Sequence, residues 1–170
     1  RVPVTRNLSE LNVTLTLREE QAFLKDTAKK FAQEKTPTAH FREIRDNENP
    51  ECFDRKIWQE IAAQGWSGIL VPEEYGGSGL GYFEYVTAIR ELSKIDPSIG
   101  LSMSAHNSLC TNHILTFGNE EQKKKYLPKL ATGEHIGAWG LTEAGTGSDA
   151  GGMDTVAVRD GDHWGINGAK

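Results

Sequence analysis

The residues best suited to hold a ligand are concentrated between Trp139 and Gly152, near the end of the 170-residue chain. This stretch combines several glycines with three hydroxyl side chains, those of Thr142, Thr146 and Ser148. Glycine lets backbone N–H groups approach a pyrophosphate closely, and the hydroxyls add short donors. The ring of Trp139 could lie against a planar group. The set suits a nucleotide cofactor with a large flat ring, such as a flavin, although other nucleotides also fit.

Two other interpretations of this stretch remain open on the residues alone. A surface loop whose glycines only permit tight turns has the same composition. The spacing Gly145-x-Gly147-x-x-Ala150 also matches a dinucleotide-binding fingerprint. That fingerprint needs a strand before it and a helix after it, whereas residues 155–158 are strand-like, so the Rossmann interpretation is disfavoured.

Histidines and cysteines elsewhere give weaker signals. His106 and His113 are seven residues apart and share a helix face, but a metal pair would need further ligands that the sequence does not supply. A hydrogen-bonded histidine in the core or at an interface is therefore favoured, and no metal site is expected. Cys110 lies among apolar residues without a nearby base, which predicts an inert core thiol.

Bulk properties exclude several function classes. The formal net charge is −5 and the pI is near 5.6, whereas a general nucleic-acid binder would be basic. No apolar stretch approaches the roughly 20 residues that a membrane-spanning helix requires. The sequence therefore predicts neither nucleic-acid binding nor a membrane span.

The elements that must position the ligand-holding stretch are helices over the first two thirds of the chain. Thr16 with Glu19 is typical of a capping box, and Asp54 and Asn119 are predicted to start later helices. A nearly apolar helix is predicted over 98–117. The residues predicted to face inward in the first three helices are Phe23, Leu24, Thr27, Ala28, Phe31 and Ala32, then Ile57, Trp58, Ile61 and Ala62, then Phe83, Val86, Ile89 and Leu92.

The hydrophobic period then changes from helical to extended. Residues 155–158 and 163–166 are predicted strands, Asp160-Gly161 is a hairpin signal, and Trp164 is expected to pack on one face of the sheet. The sequence thus predicts an α+β chain. Its parts are a leader over 1–16, an N-terminal all-α domain over 17–133, and the beginning of an antiparallel β-domain over 134–170. Because two strands do not make a stable sheet, we expect the chain to be the front part of a longer protein.

Four segments, in this order, resemble the acyl-CoA dehydrogenase family. The resemblance covers residues 17–170, and one departure is Thr146, where the family usually carries Gly, Ala, Ser or Asn. The segments are 68–79 (GILVPEEYGGSG), 118–128 (GNEEQKKKYLP), 140–149 (GLTEAGTGSD) and 164–170 (WGINGAK).

The resemblance implies a fold and an activity. It implies a helical domain, a middle β-domain and a C-terminal helical bundle that is absent from this chain. It also implies non-covalent FAD and removal of two hydrogens from the α and β carbons of an acyl-CoA, the second as a hydride to flavin N5. An electron-transfer flavoprotein would accept the electrons, and the assembly would be a homotetramer. The location would be a bacterial cytoplasm or a mitochondrial matrix.

The resemblance also implies roles for individual residues. Trp139 and Leu141 would contact the flavin through their backbones, and the Thr142 hydroxyl would hydrogen-bond its ring. Ser148, with Gly147 beside it, would meet the FAD pyrophosphate and the nearby CoA chain. The family's carboxylate base lies in the C-terminal bundle, so no residue of this chain is predicted to be catalytic.

The resemblance further implies that the helix predicted over 98–117 forms a wall of the acyl pocket. Ala105, His106 and Leu109 are the candidates for its floor, with plain core packing as the alternative for Leu109. The segment 104–110 (SAHNSLC) resembles short-chain members of the family, and this resemblance implies short or branched acyl chains. An acyl-CoA oxidase, another flavoenzyme of the same fold, or a non-catalytic binding module that keeps the fold remain alternatives.

Overall fold

The computed structural model describes residues 16–36, 39, 42–43 and 53–170, so the predicted leader lies outside the described residues except for Thr16. A helical part precedes a two-stranded antiparallel hairpin, which confirms the predicted α+β order. A π-helical segment, Ala105–Thr111, joins α4 to α5, and 3₁₀ turns lie at Glu73–Tyr75 and Ala150–Gly152. The elements are α1 (Glu19–Lys35), α2 (Arg55–Ala63), α3 (Tyr82–Ser93), α4 (Pro97–Ser104), α5 (Asn112–Phe117), α6 (Glu120–Ala131), β1 (Val156–Asp160) and β2 (His163–Asn167).

Side-chain caps start three of the helices, and two of these caps, Asp54 and Asn119, are at the predicted residues. The Asp54 carboxylate accepts hydrogen bonds from the first amides of α2, at 2.8 and 3.1 Å. Asp96 caps α4 in the same way, with Pro97 in the first turn. Asn119 and Gln122 form a reciprocal capping box at α6, with distances of 2.8 and 2.9 Å. These caps satisfy amides that the helix itself leaves without partners.

The predicted capping box at the start of α1 is wrong, because the helix begins at Glu19 rather than after Thr16. The Arg18 amide donates to the Gln21 side chain at 3.1 Å. Gln21 and Arg18 also both donate to the Glu84 carboxylate on α3, at 2.8 and 3.1 Å. The start of α1 is therefore fixed by a tertiary contact with α3, which local sequence does not reveal.

The buried faces of α1 and α3 differ from the predicted faces. Phe23 of α1 is 74% exposed, and Phe83 and Val86 of α3 are also exposed, so their predicted inward positions are wrong. Both helices carry apolar residues on more than one side, and alanines occupy the buried side, where small side chains allow close approach. The main core consists of Ala28, Phe31, Ala32, Ile57, Ile61, Trp66, Ile69, Tyr85, Ala88, Leu92, Ile99 and Met103.

The predicted helix over 98–117 forms, but its central turn is wide and polar. The Thr111 hydroxyl donates to the carbonyl of His106 at 2.7 Å, and His106, Asn107 and Thr111 are all buried. The Asn107 amide donates to the Trp66 and Met103 carbonyls at 3.0 and 3.1 Å. Buried side-chain hydrogen bonds therefore replace part of the apolar packing expected there, and π-helical turns of this kind are frequent at functional sites.

The hairpin has a defined register and little burial. Its strands pair from Val156↔Asn167 to Asp160↔His163, so the two-residue loop is Gly161-Asp162, one residue beyond the predicted turn. Gly161 has a φ of 58°, which favours glycine at this position. Every residue of both strands is exposed. Trp164 is 64% exposed on this hairpin, and its packing on one face of the β-domain stays a prediction.

Candidate functional site

The segment that holds the candidate ligand-binding residues is folded by its own hydrogen bonds. Glu143 and Thr146 exchange backbone hydrogen bonds of 3.0 and 3.2 Å, which close a tight turn. The Thr146 hydroxyl donates to the Asp149 carbonyl. The Asp149 carboxylate then accepts from the Gly151 amide at 3.2 Å, at the start of a 3₁₀ turn. The residues around Gly147 therefore project from a defined turn.

Glu143 fastens this turn to the start of the hairpin. Its carboxylate accepts the Asp154 amide at 2.6 Å and the Thr155 amide at 3.2 Å, and it contacts the Lys170 ammonium at 2.8 Å. The Lys170 hydrogen bond, followed by those from Thr155 and Asp154, lowers the pKa of Glu143 to about 2. Glu143 is thus an ionised structural anchor between the turn and the hairpin.

The three hydroxyls of the turn differ in their use. The Thr146 hydroxyl is engaged inside the turn, as described above. Within the described part of the chain, the hydroxyls of Thr142 and Ser148 make no hydrogen bond, and both residues are exposed. The backbone amides of Gly147 and Ser148 likewise find no acceptor among the described residues. The hydroxyls of Thr142 and Ser148 and the adjacent amides of Gly147 and Ser148 are therefore available to a ligand.

Trp139 enters the turn from the helical side. Its ring packs against His113 of α5, with ring centroids 4.1 Å apart and planes at 45°. The residue remains 40% exposed. Leu141 is half-buried, and its carbonyl accepts from the Lys170 ammonium at 3.2 Å. All five predicted cofactor-binding residues thus lie on one short segment.

Residues 18–134 match the sequence profile of the acyl-CoA dehydrogenase N-terminal domain. The chain belongs to the acyl-CoA dehydrogenase family. This confirms the resemblance that the four sequence segments indicated.

Known members of the acyl-CoA dehydrogenase family extend beyond this chain. It is 45% identical over 155 residues to the mitochondrial isovaleryl-CoA dehydrogenase of Bos taurus, covering 91% of this chain and 36% of that protein. The chain thus spans a little over one third of the length of this relative.

Solved structures give the same result for the fold. The Bacillus anthracis acyl-CoA dehydrogenase complexed with FAD superposes with a TM-score of 0.80 at 34% identity, over 89% of this chain and 26% of that one. A chain in the structure described as the electron transferring flavoprotein of Acidaminococcus fermentans superposes with a TM-score of 0.81 at 42% identity, over 91% and 40% of the two chains. The predicted acyl-CoA dehydrogenase-like fold is therefore confirmed.

The candidates for the acyl pocket occupy different environments along the π-helical segment. His106 is fully buried, and both its ring nitrogens are hydrogen-bonded to backbone groups. Ala105 is half-buried and Leu109 is exposed. Plain core packing therefore does not describe Leu109, while the pocket role of all three residues stays a prediction.

A cavity of about 510 Å³ borders the segment that leads into the turn. The thiol of Cys110 lies on its wall and is half-buried, not enclosed in the core as the sequence predicted. Burial raises the pKa of this thiol, so it stays neutral and a poor nucleophile at neutral pH. The lining residues are Arg55, Cys110, Ile114, Tyr126, Leu130, Glu134, His135, Ile136, Gly137 and Ala138.

The sequence interpretation missed the residues that fix the two ends of the candidate site. Lys170 and the Asp154 and Thr155 amides hold one end through Glu143. Residues on one face of the π-helical segment and α5 hold the other end. The spacing of His106 and His113 was the available signal for that face. Among the described residues, no group of three metal-ligating side chains occurs and no helix is long and apolar enough to cross a membrane.

Proposed function

We propose that the complete protein is an FAD-dependent acyl-CoA dehydrogenase that removes hydrogens from the α and β carbons of a short or branched acyl-CoA. The observation that carries the proposal is the division among the hydroxyls of the turn. Thr146 uses its hydroxyl internally, whereas Thr142 and Ser148 keep theirs available. Family membership and the similarity to a dehydrogenase complexed with FAD support the same conclusion.

The residues present fit the chemistry of FAD. The amides of Gly147 and Ser148, with the Ser148 hydroxyl, form a group of neutral donors of the kind that binds a pyrophosphate. Trp139 and Leu141 would contact the flavin through their backbone groups. The Thr142 hydroxyl would donate to the ring. FAD, when bound, supplies the acceptor for a hydride.

The electrostatic role of Thr142 follows from that chemistry. A hydroxyl fixed beside the ring stabilises negative charge that develops there, without reorganisation at the moment of reaction. The turn that contains Glu143 and Thr146 is closed by two backbone hydrogen bonds, so the position of the neighbouring Thr142 is constrained before any ligand arrives. None of the chain's carboxylates has the role of base in this proposal, and Glu143 is occupied by Lys170 and two amides.

Substrate and partners extend the proposal. The similarity to an isovaleryl-CoA dehydrogenase supports a short branched acyl group, with Ala105, His106 and Leu109 lining its pocket and Ser148 near the CoA chain. The similarity to a chain from an electron transferring flavoprotein structure supports such a protein as electron acceptor. The family resemblance supports a homotetramer in a bacterial cytoplasm or a mitochondrial matrix. It also supports domain limits of 17–133 and 134–170, close to the matched range of 18–134.

A matched pair of variants at Thr142 tests the proposal in the full-length protein. Thr142→Val removes the hydroxyl and keeps the shape, whereas Thr142→Ser keeps the hydroxyl and removes the methyl group. We expect Thr142→Val to slow substrate-dependent flavin reduction by roughly a hundredfold to a thousandfold, because removing one preorganised donor has effects of this order. Thr142→Ser should stay close to wild type.

Stopped-flow absorbance of the bound flavin measures this reduction directly. Equal rates in Thr142→Val and the wild type would remove the proposed role of the hydroxyl. A full-length protein that is colourless and takes up no added FAD would contradict the proposed function as a whole.

A further inference from the structure

One face of the π-helical segment and α5 contacts residues 137–139. These residues lead into the stretch 139–148, which we call the candidate cofactor turn. His106 Nδ1 accepts the Gly137 amide at 2.8 Å. A Cβ atom on Gly137 would lie 2.7 Å from Cys110 Cβ and 2.8 Å from its Sγ, so the backbone approaches Cys110 as closely as only glycine allows. His113 packs on the Trp139 ring. We call His106, Cys110 and His113 the anchoring face.

The hydrogen bonds of His106 define its protonation. Since a backbone amide can only donate, Nδ1 carries no proton, and Nε2–H donates to the Leu130 carbonyl at 3.1 Å. Burial lowers the pKa of His106, which keeps the ring in this neutral form. The ring of His106 therefore connects the end of α6, at Leu130, to the backbone at Gly137. His106 itself is 31 residues from Gly137 in sequence.

The stretch from Gly137 to Glu143 is held at both of its ends. Gly137 is held by the anchoring face, and Glu143 is held by Lys170 and the hairpin amides. Trp139, Leu141 and Thr142 lie between these points. A segment held in one conformation before binding loses less conformational entropy when a ligand arrives.

We infer that His106 is a positioning residue for the cofactor turn, acting through its hydrogen bond to the Gly137 amide. This inference rests on the proposed function, because it concerns the binding of FAD by residues 139–148. The partner of Nδ1 distinguishes the role from simple core packing. Of the two backbone groups that hydrogen-bond the His106 ring, the Gly137 amide belongs to the segment that also contains Trp139.

Two substitutions at His106 separate the hydrogen bond from the packing. The amide of Asn reaches the position of Nδ1, so His106→Asn keeps an acceptor for Gly137 and loses the bond to Leu130. The amide of Gln reaches the position of Nε2, so His106→Gln keeps the Leu130 bond and loses the Gly137 bond. Gln is closer to His in volume, so packing alone would make His106→Asn the more damaging change.

The test uses the full-length wild type, His106→Asn and His106→Gln, with FAD affinity and hydrogen exchange of residues 137–139 in the apoprotein as readouts. We expect His106→Gln to bind FAD at least about tenfold more weakly and to exchange these amides about tenfold faster. His106→Asn should lie nearer the wild type in both. The opposite order of the two variants, or equal FAD affinity in all three proteins, would overturn the inference.

A second variant keeps the test valid if His106→Gln does not fold. Gly137→Ala leaves His106 and Leu130 in place but drives the backbone away from Cys110, so it should raise exchange at 138–139 and weaken FAD binding. Unchanged FAD affinity in Gly137→Ala would overturn the inference. A wild-type protein that takes up no FAD would instead overturn the proposed function, whatever the exchange rates show.

Discussion

The helical part and the hairpin are ordered by different means. Ile61, Ile69, Leu92 and Met103 have no exposed surface, and they belong to one cluster to which four of the described helices contribute. In the hairpin every strand residue is exposed, although the register of the two strands is fixed. The helical part is therefore stabilised by its own burial of apolar surface. The hairpin depends on cross-strand hydrogen bonds and on contacts with the turn before it.

This difference separates two kinds of measurement. Substitutions in the helical core should change the free energy of unfolding of the whole helical part. Substitutions in the turn and hairpin should change local order and ligand affinity while leaving that free energy nearly constant.

The largest expected contrast lies between Leu92 in α3 and Ile166 in β2. Leu92→Ala should destabilise the 170-residue chain by about 2–5 kcal/mol, because it leaves a cavity in the core. Ile166→Ala should change stability by less than about 0.5 kcal/mol, because Ile166 is 76% exposed. Urea unfolding followed by far-UV circular dichroism measures both, and similar costs for the two variants would contradict the comparison.

Two glycines, Gly68 and Gly147, test the same contrast between the helical part and the turn with smaller expected changes in stability. A Cβ on Gly68 would lie 2.7 Å from the Cβ and 2.9 Å from the Cα of Ala131, so Gly68→Ala should destabilise the helical part by about 1–3 kcal/mol. A Cβ on Gly147 meets nothing within 4 Å, so Gly147→Ala should leave stability unchanged. In the full-length protein Gly147→Ala should nevertheless weaken FAD binding, because a methyl group hinders the approach of the backbone to the ligand. Thermal unfolding and FAD titration of the two variants measure these effects, and a destabilised Gly147→Ala would show that the turn is packed more tightly than described.

As the pH falls, the contact of His106 with Gly137 should be lost before the contacts of Glu143. This is the smallest of the three expected effects. The pKa of His106 lies below its ordinary value of 6.5 because of burial. Its contribution to the stability of the folded state is therefore complete above pH 6.5 and declines as the pH falls below that value. The groups around the ring are Trp58, the backbone of Ser67 and Leu130, and the Gly137 amide, all of them uncharged. The pKa of Glu143 is lowered from 4.5 to about 2, so its contacts persist to lower pH and are lost only as the pH approaches 2.

Hydrogen exchange measured between pH 7 and pH 3 checks the order. After correction for the intrinsic pH dependence of exchange, protection at the Gly137 amide should fall first. Protection at Asp154 and Thr155 should remain. Glu143→Ala is the control, since it removes both acceptor oxygens and should abolish the protection at Asp154 and Thr155 already at pH 7 while leaving Gly137 unaffected. Simultaneous loss at both ends in the wild type would show that the ends are not independent.

Local signals in the sequence predicted much of the fold. Asp54 and Asn119 start helices because their side chains reach amides two or three residues away, and such short-range chemistry is visible in sequence. The buried faces of α1 and α3 were not predictable in the same way. Phe23 is larger and more apolar than Ala28, yet Ala28 is buried, because the close approach of α1 to α3 decides which side faces inward.

The candidate site shows the same division. The segment 139–148 was found from its composition and from the family resemblance. The different roles of Thr142 and Thr146 depend on the backbone path of the turn, which residue types alone do not determine. The bond from Gly137 to His106 joins residues 31 positions apart, and no periodic pattern specifies a pair at that separation. Sequence therefore located the site, whereas the structure was needed to show what supports it.

The π-helical segment sets the rotational phase of everything that follows it in the helix. A wide turn accommodates an additional residue, and each residue of an α-helix advances the direction of its side chain by about 100°. If the turn between Ala105 and Thr111 tightened to an α-helical one with no residue removed, α5 would therefore rotate by roughly that angle relative to α4. His113 would then face away from Trp139 while the core residues of α4 stayed in place. Tightening this single turn would thus rotate the side of the candidate site that carries His113 without unfolding the core that contains α4.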